Sequence, residues 1–281
     1  MNNNQKTSVK KVNTVAVLAG LRQKLATLEH GVSGSGQCSA VPFGIGEIDA
    51  ALPWGGLASG MVHEVVGGDG GHAALGFCSA LLARFAQDRG MRRSNVLWCR
   101  GRNDLYAPGL LSFGLDQDRL LLAEVSKDRD ILWAMEEGLR SGALTAVLGE
   151  PSTLTTTALR RLQLAAETGG TAAFLLRPRG SANVPGPIAT RWQVSALPSL
   201  GRDFYGARPL GQPRWQLELV RCRNGSVGRW SVEWRDGRRK GTTDETARGF
   251  ALAPDLRDGP DQTAATQDKN TDADSSARMA G

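Results

Sequence analysis

A chain of 281 residues, 41% hydrophobic and 22% charged, carries enough apolar material for a full core and is excluded from the disordered and fibrous classes. Its net charge is +6, and its 35 glycines, about 12% of the chain against roughly 7% on average, call for many tight turns. Four cysteines set far apart (Cys38, Cys78, Cys99, Cys222) form no C-x-x-C pair, which argues against zinc and against a disulfide framework and for a reducing cytoplasm.

Residues 1–13 are polar and are expected to be disordered. The apolar run Val15–Leu21 is seven residues long and meets Arg22 and Lys24 at once, so neither a signal peptide nor a membrane span is expected. Val17, Leu18, Leu21, Leu25 and Leu28 recur at helical spacing, which predicts an amphipathic helix over 14–29 that packs on the main domain or on a partner. By composition, GVSGSGQCSA (31–40) is a flexible linker. It closes an N-terminal part, 1–40, ahead of a main domain over 41–240.

From 41 to about 178, short apolar runs alternate with helical patterns. MVHEVV (61–66) reads as a strand and 72–88 as a helix with Leu75, Leu81, Leu82 and Phe85 on its apolar side. NVLWC (95–99) is the next strand, followed by a short helix near 104–113 and a strand at LLLAEV (120–125). A helix over 128–140 places Ile131, Leu132, Met135 and Leu139 together; LTAVLG (144–149), a helix over 153–167 and TAAFLL (171–176) complete the series. Continuously apolar strands between amphipathic helices predict an α/β fold whose mostly parallel sheet is covered on both faces.

After 178 the period becomes two, in ATRWQVSAL (189–197), RWQLELVRCR (214–223) and GRWSVEWRDG (228–237). Asn224-Gly225 between the last two is a hairpin signal, so an antiparallel section should extend the sheet. The segment 241–281 is expected to be a disordered tail; beyond about Ala253 it lacks any aromatic residue and cannot build a core.

Charge is uneven along the chain. From Arg177 to Lys240 there are 13 basic residues against four acidic ones, whereas Asp255–Gly281 holds six Asp against three bases. A basic block before an acidic tail points to nucleic acid or an acidic partner, unless the arginines are scattered over solvated strand faces.

The most informative stretch is EVVGGDGGHAALGF (64–77), a strand, a glycine-rich turn and a helix. A working phosphate loop, G-x-x-x-x-G-K-S/T, uses converging backbone amides, a lysine on the β/γ charge and a hydroxyl on magnesium. Here Gly67, Gly68, Gly70 and Gly71 supply the glycines, but Gly67 to Gly71 encloses three residues, one too few. His72, an imidazole in place of a permanent cation, replaces the lysine, and Ala73 offers no metal ligand. Weak nucleotide binding by the glycine backbone and His72 is left open, but catalysis is not expected, because phosphoryl transfer relies on that cation and that metal. No cofactor is expected.

Two further parts of an ATPase are missing. The apolar strand ending at Gly149 lacks a metal-holding Asp at its tip; Glu150 follows, read as a cap on the turn before Pro151 and the next helix. Cys99, Arg100 and Gly101 stand where a catalytic Glu belongs.

VPFGIGEIDAALPWGGLASGMVHEVVG (41–67) resembles the entry to the RecA ATPase core: Gly44, Ile45, Ile48, Asp49, Leu52, Gly55, Gly56, Leu57, Gly60 and Glu64 fall on its positions. SGALTAVLGE (141–150) is similar to the approach to that core's metal-binding strand end, and ALRRLQLAAETGGTAAFLLRPRG (158–180) to the helix and strand leading into its second DNA-contacting loop. The likeness spans roughly 41–235. With its decayed loop, Trp/Arg-rich hairpin and LGEP after the strand, the chain looks most like the ImuA family of inducible-mutagenesis accessory proteins.

That resemblance implies a RecA-like, non-catalytic bacterial protein of the SOS response to DNA damage. It would act in translesion synthesis beside an ImuB-like Y-family polymerase relative and an error-prone DNA polymerase III α-type subunit, with RecA and DNA as further candidate partners. Two alternatives are a DNA-dependent RecA-type ATPase or recombinase and a SulA-like cell-division inhibitor.

Within the loop RPRGSANVPGP (177–187), Arg177 and Arg179 are candidate contacts to DNA phosphates or a partner, against a plain surface connection. Arg235, Arg238, Arg239 and Lys240 form a second such group, against a solvated terminus. Among the tryptophans, alternation places Trp215, Trp230 and Trp234 on a buried face, and Trp98 and Trp133 read as core. His30, His63 and His72 with Cys78 make no metal pattern.

Overall fold

In the computed structural model, which describes residues 39–68, 71–87, 95–199, 211–235 and 249–253, the alternation of apolar strands and helices becomes one large sheet. The N-terminal residues 1–38, with the helix expected over 14–29, lie outside the described residues, as do 254–281.

In chain order, β1 (Ala40–Val41) pairs antiparallel with β2 (Leu57–Ala58), and α1 (Gly46–Ala51) lies between them. The Asp49 carboxylate accepts from the amides of Phe43 at 2.7 Å and Gly44 at 3.0 Å, which sets how the chain enters α1. Then come β3 (Val62–Gly67), α2 (His72–Gln87), β4 (Val96–Arg100), a 3-10 segment (Ala107–Phe113) and β5 (Leu120–Glu124). After them follow α3 (Asp128–Arg140), β6 (Ala146–Gly149), α4 (Thr156–Gly169), β7 (Ala172–Arg177) and β8 (Thr190–Leu197). The series ends with β9 (Arg214–Cys222), β10 (Gly228–Arg235) and β11 (Gly249–Leu252).

The nine-stranded sheet runs β11-β10-β9-β8-β3-β7-β6-β4-β5. From β8 to β5 every pairing is parallel, and β9, β10 and β11 continue the sheet antiparallel. Asn224, at φ 60, takes the left-handed conformation that a tight hairpin demands.

Two apolar layers sandwich the parallel half. On one face α2 buries Phe77, Leu81, Leu82 and Phe85 against Trp98, Leu148, Phe174 and Trp192. On the other, Ile131, Met135 and Leu139 of α3 and Leu159 and Leu162 of α4 cover Val147, Ala173 and Leu175. The antiparallel strands carry the first layer outward through Trp215, Trp234 and Phe250, with the Trp234 and Phe250 rings 5.1 Å apart. Trp230 is half-buried at its edge.

Three expectations change. Trp133 is 61% exposed rather than core: α3 buries 131, 135 and 139, and position 133 lies half a helical turn from that stripe. β5 is the last strand of the sheet, and Leu121 and Leu122 are exposed although its run is continuously apolar. Residues 249–252, assigned to the tail, form β11, because Phe250 packs into the aromatic layer. Among the described residues no helix is long and apolar enough to cross a membrane.

Candidate functional site

β3 ends at Gly67 and α2 starts at His72, so the glycine turn joins a central parallel strand to a helix N-terminus. Two of its amides are already engaged. Gly68 donates to the Val194 carbonyl at 2.7 Å, and Gly71 donates to Gly68 at 3.2 Å. The turn is drawn in tightly: a Cβ on Gly67 would stand 3.1 Å from the Gly71 Cα, and one on Gly68 would stand 3.0 Å from the Val194 oxygen. Gly71, at φ 72, needs glycine's freedom to close the turn. His72 is exposed on the first turn of α2. Gly70 lies outside the described residues.

In front of this turn opens a cleft of about 670 Å³, lined by Gly68, His72, Arg102, Asp128, Glu150 and Arg179. It lies where β3, β4, β6 and β7 end, the position at which open α/β sheets hold ligands. Its acids, however, are occupied.

Glu150 accepts from the Trp98 indole N–H at 2.7 Å and stands 3.4 Å from Nε of the buried Arg100, which is also paired with Asp104. The expected cap role of Glu150 is therefore not observed. Thr155 caps α4, its hydroxyl accepting from the Ala158 amide at 3.2 Å, and the turn before it is held by Asp128. The Asp128 carboxylate accepts from the amides of Ser152 at 3.0 Å and Thr153 at 2.8 Å and from the Thr153 hydroxyl at 2.7 Å. Partial burial pushes its pKa up, but these donors outweigh it and hold the carboxyl below its usual range. At Gly149 an acid would have to displace Met135, since a Cβ there would stand 2.1 Å from the Met135 sulfur.

The two candidate arginines of the 177–187 loop diverge. Arg177 is 3% exposed and turned inward: its Nη1 donates to Glu64 at 3.1 Å and to the Ala182 carbonyl at 2.9 Å. Glu64 accepts also from Arg191, which reaches Asn183 as well. This buried Arg177–Glu64–Arg191 triad was missed in sequence. The signal was a lone acid inside the apolar strand MVHEVV. Arg179 lies exposed at the cleft rim.

Arg235 ends β10, its Nε 3.5 Å from Glu233, while Arg238, Arg239 and Lys240 lie outside the described residues. Arg214 and Arg229 are paired too, with Glu233 and Glu218. At least five of the eight described arginines of the basic block thus have carboxylate partners in the same molecule.

The three described thiols are poor nucleophiles. Burial pushes Cys99 up to about 12 and Cys222 up to about 11, and Cys78 is pushed higher still by burial and by the Glu150 charge. Among the described residues no cluster of His, Cys, Asp and Glu could hold a metal ion.

Scanned against models of protein families, the chain matches none. Two curated relatives, from two strains of Caulobacter vibrioides and each described as "Protein ImuA", are 34% identical to it over 208 residues, covering 68% of this chain and 82% of theirs.

Proposed function

The chain belongs to the ImuA family, and from that membership we propose a non-catalytic accessory role in SOS-induced mutagenic translesion synthesis. In this reading the fold is a RecA-like scaffold with a degenerate P-loop, kept as an adaptor in the cytoplasm. It holds together an ImuB-like Y-family polymerase relative and an error-prone DNA polymerase III α-type subunit; RecA and DNA are further candidate partners.

One observation supports the non-catalytic part: the Gly68 amide, at the start of the glycine turn, is bonded to Val194 rather than left for a ligand. The missing lysine and hydroxyl, the Glu150 carboxylate bound by Trp98 and the crowded position at Gly149 support it. Without a cation and a metal on the γ-phosphate, the electrostatic part of phosphoryl transfer is lost. Arg179 and Arg235 remain the described candidates for DNA or partner contact, with Arg177 positioning the loop of Arg179 from within.

Co-purification with the two polymerase-type partners, with and without DNA, tests the adaptor role. Capture of both is expected, and failure to retain either would contradict it. In cells, His72→Ala should leave damage-induced mutation frequency almost unchanged, whereas a loss equal to full deletion would mean the loop works chemically.

A further inference from the structure

α3 and α4 enclose a second groove, of about 590 Å³, on the face of the molecule that these two helices cover. Its apolar wall is Leu132, Trp133, Ala158 and Leu162, and Leu164, three residues beyond the groove-lining Arg161, stays 64% exposed. Tryptophan is among the residue types enriched at the hot spots of binding surfaces. The groove is held open in advance: Glu136 among its lining residues is buried and receives Arg140 from its own helix and Arg161 from α4, each at 2.6 Å.

We propose that this groove seats residues 14–29 of the same chain, with Val17, Leu18, Leu21, Leu25 and Leu28 turned toward Trp133. Three observations favour this occupant. That stripe has the spacing of an amphipathic helix, the form that fills grooves between helices.

The chain also joins the body at the right place. The Ser39 carbonyl accepts from the Ser59 amide at 2.7 Å. Next to it, Gly60 abuts the end of α4, where a Cβ on it would stand 3.5 Å from the Ala166 oxygen. The nine residues 30–38 reach up to about 30 Å when extended, more than the roughly 21 Å length of α4.

Charge completes the match. Residues 14–29 hold two bases and one acid, whereas the groove is lined by three acids and two bases.

Tryptic cleavage of the full chain after Arg22 and Lys24 tests the docking. In the intact chain both sites should resist, and Trp133→Glu, a change at a solvent-facing position, should speed their cleavage about tenfold with no change in melting temperature. The reciprocal variant Leu21→Glu should make one further tryptophan accessible to iodide quenching. Protection should stay constant over a roughly hundredfold range of protein concentration. Cleavage rates equal in the intact and Trp133→Glu chains, or quenching unchanged in Leu21→Glu, would overturn the proposal. Protection that grows with concentration would overturn it in favour of a second copy as the occupant.

Discussion

The Gly68 amide donates to the carbonyl of Val194 across 2.7 Å, tying the glycine turn to β8. In the proposed reading the turn's shape, as well as its side chains, works against phosphate binding. Restoring the usual residues with His72→Lys and Ala73→Thr should not create a magnesium-nucleotide site, because the Gly68 and Gly71 amides stay engaged and the loop stays one residue short. Titration calorimetry with magnesium ATP checks this; micromolar binding by the double variant would show that the turn opens easily.

Gly149 and Met135 make a related point by steric exclusion. Gly149→Asp should destabilise the fold by about 1–3 kcal/mol, the usual cost of overpacking, because a Cβ there meets the Met135 sulfur at 2.1 Å. Chemical denaturation measures it. Adding Met135→Ala should recover part of that loss, and no recovery would mean that the clash lies elsewhere.

Most of the scaffold was legible because it rests on local periodicity. α2, predicted over 72–88, forms at His72–Gln87, and the three period-two stretches become β8, β9 and β10. What escaped depends on partners far apart in sequence. Glu64 meets Arg177 and Arg191 across 113 and 127 residues, and no local pattern announces such a triad. Glu150 was misread because proximity to a helix start suggested a cap, while its partner Trp98 sits on another strand. Trp133 was misread because residue type was weighed above helical phase. At the site, the missing lysine and hydroxyl were visible in the sequence, but the bond from Gly68 to Val194 was not, since it joins segments 126 residues apart.

The Glu64 triad should matter more than any surface pair. Glu64→Gln leaves two inward-turned arginines without their counter-charge, and removing one partner from a buried ion pair costs about 3–5 kcal/mol. Glu218→Gln, which breaks the exposed pair with Arg229, should cost less than about 1 kcal/mol. Urea denaturation of both variants compares them, and equal losses would contradict the triad's structural role.

His63 gives a pH dependence. Fully buried, it donates through Nε2 to the Ala58 carbonyl at 2.9 Å and accepts at Nδ1 from the Thr190 hydroxyl at 2.8 Å, which in turn accepts from the Trp192 indole. Burial pulls its pKa down from 6.5 to about 4, only partly offset by the Ala58 bond. Between those values the unfolded chain holds a proton that the folded one refuses. Stability from neutral His63 is thus complete above pH 6.5, declines as pH falls toward 4 and levels off below. The full change is roughly 3 kcal/mol. Denaturation profiles of the chain and His63→Gln should diverge across this window; parallel profiles would show that His63 titrates normally.

The most direct test of the central claim is steady-state phosphate release from ATP by the purified chain, with magnesium and single-stranded DNA present. An adaptor with this cleft should give no release above the protein-free background. Release that requires magnesium and is stimulated by DNA would contradict the account.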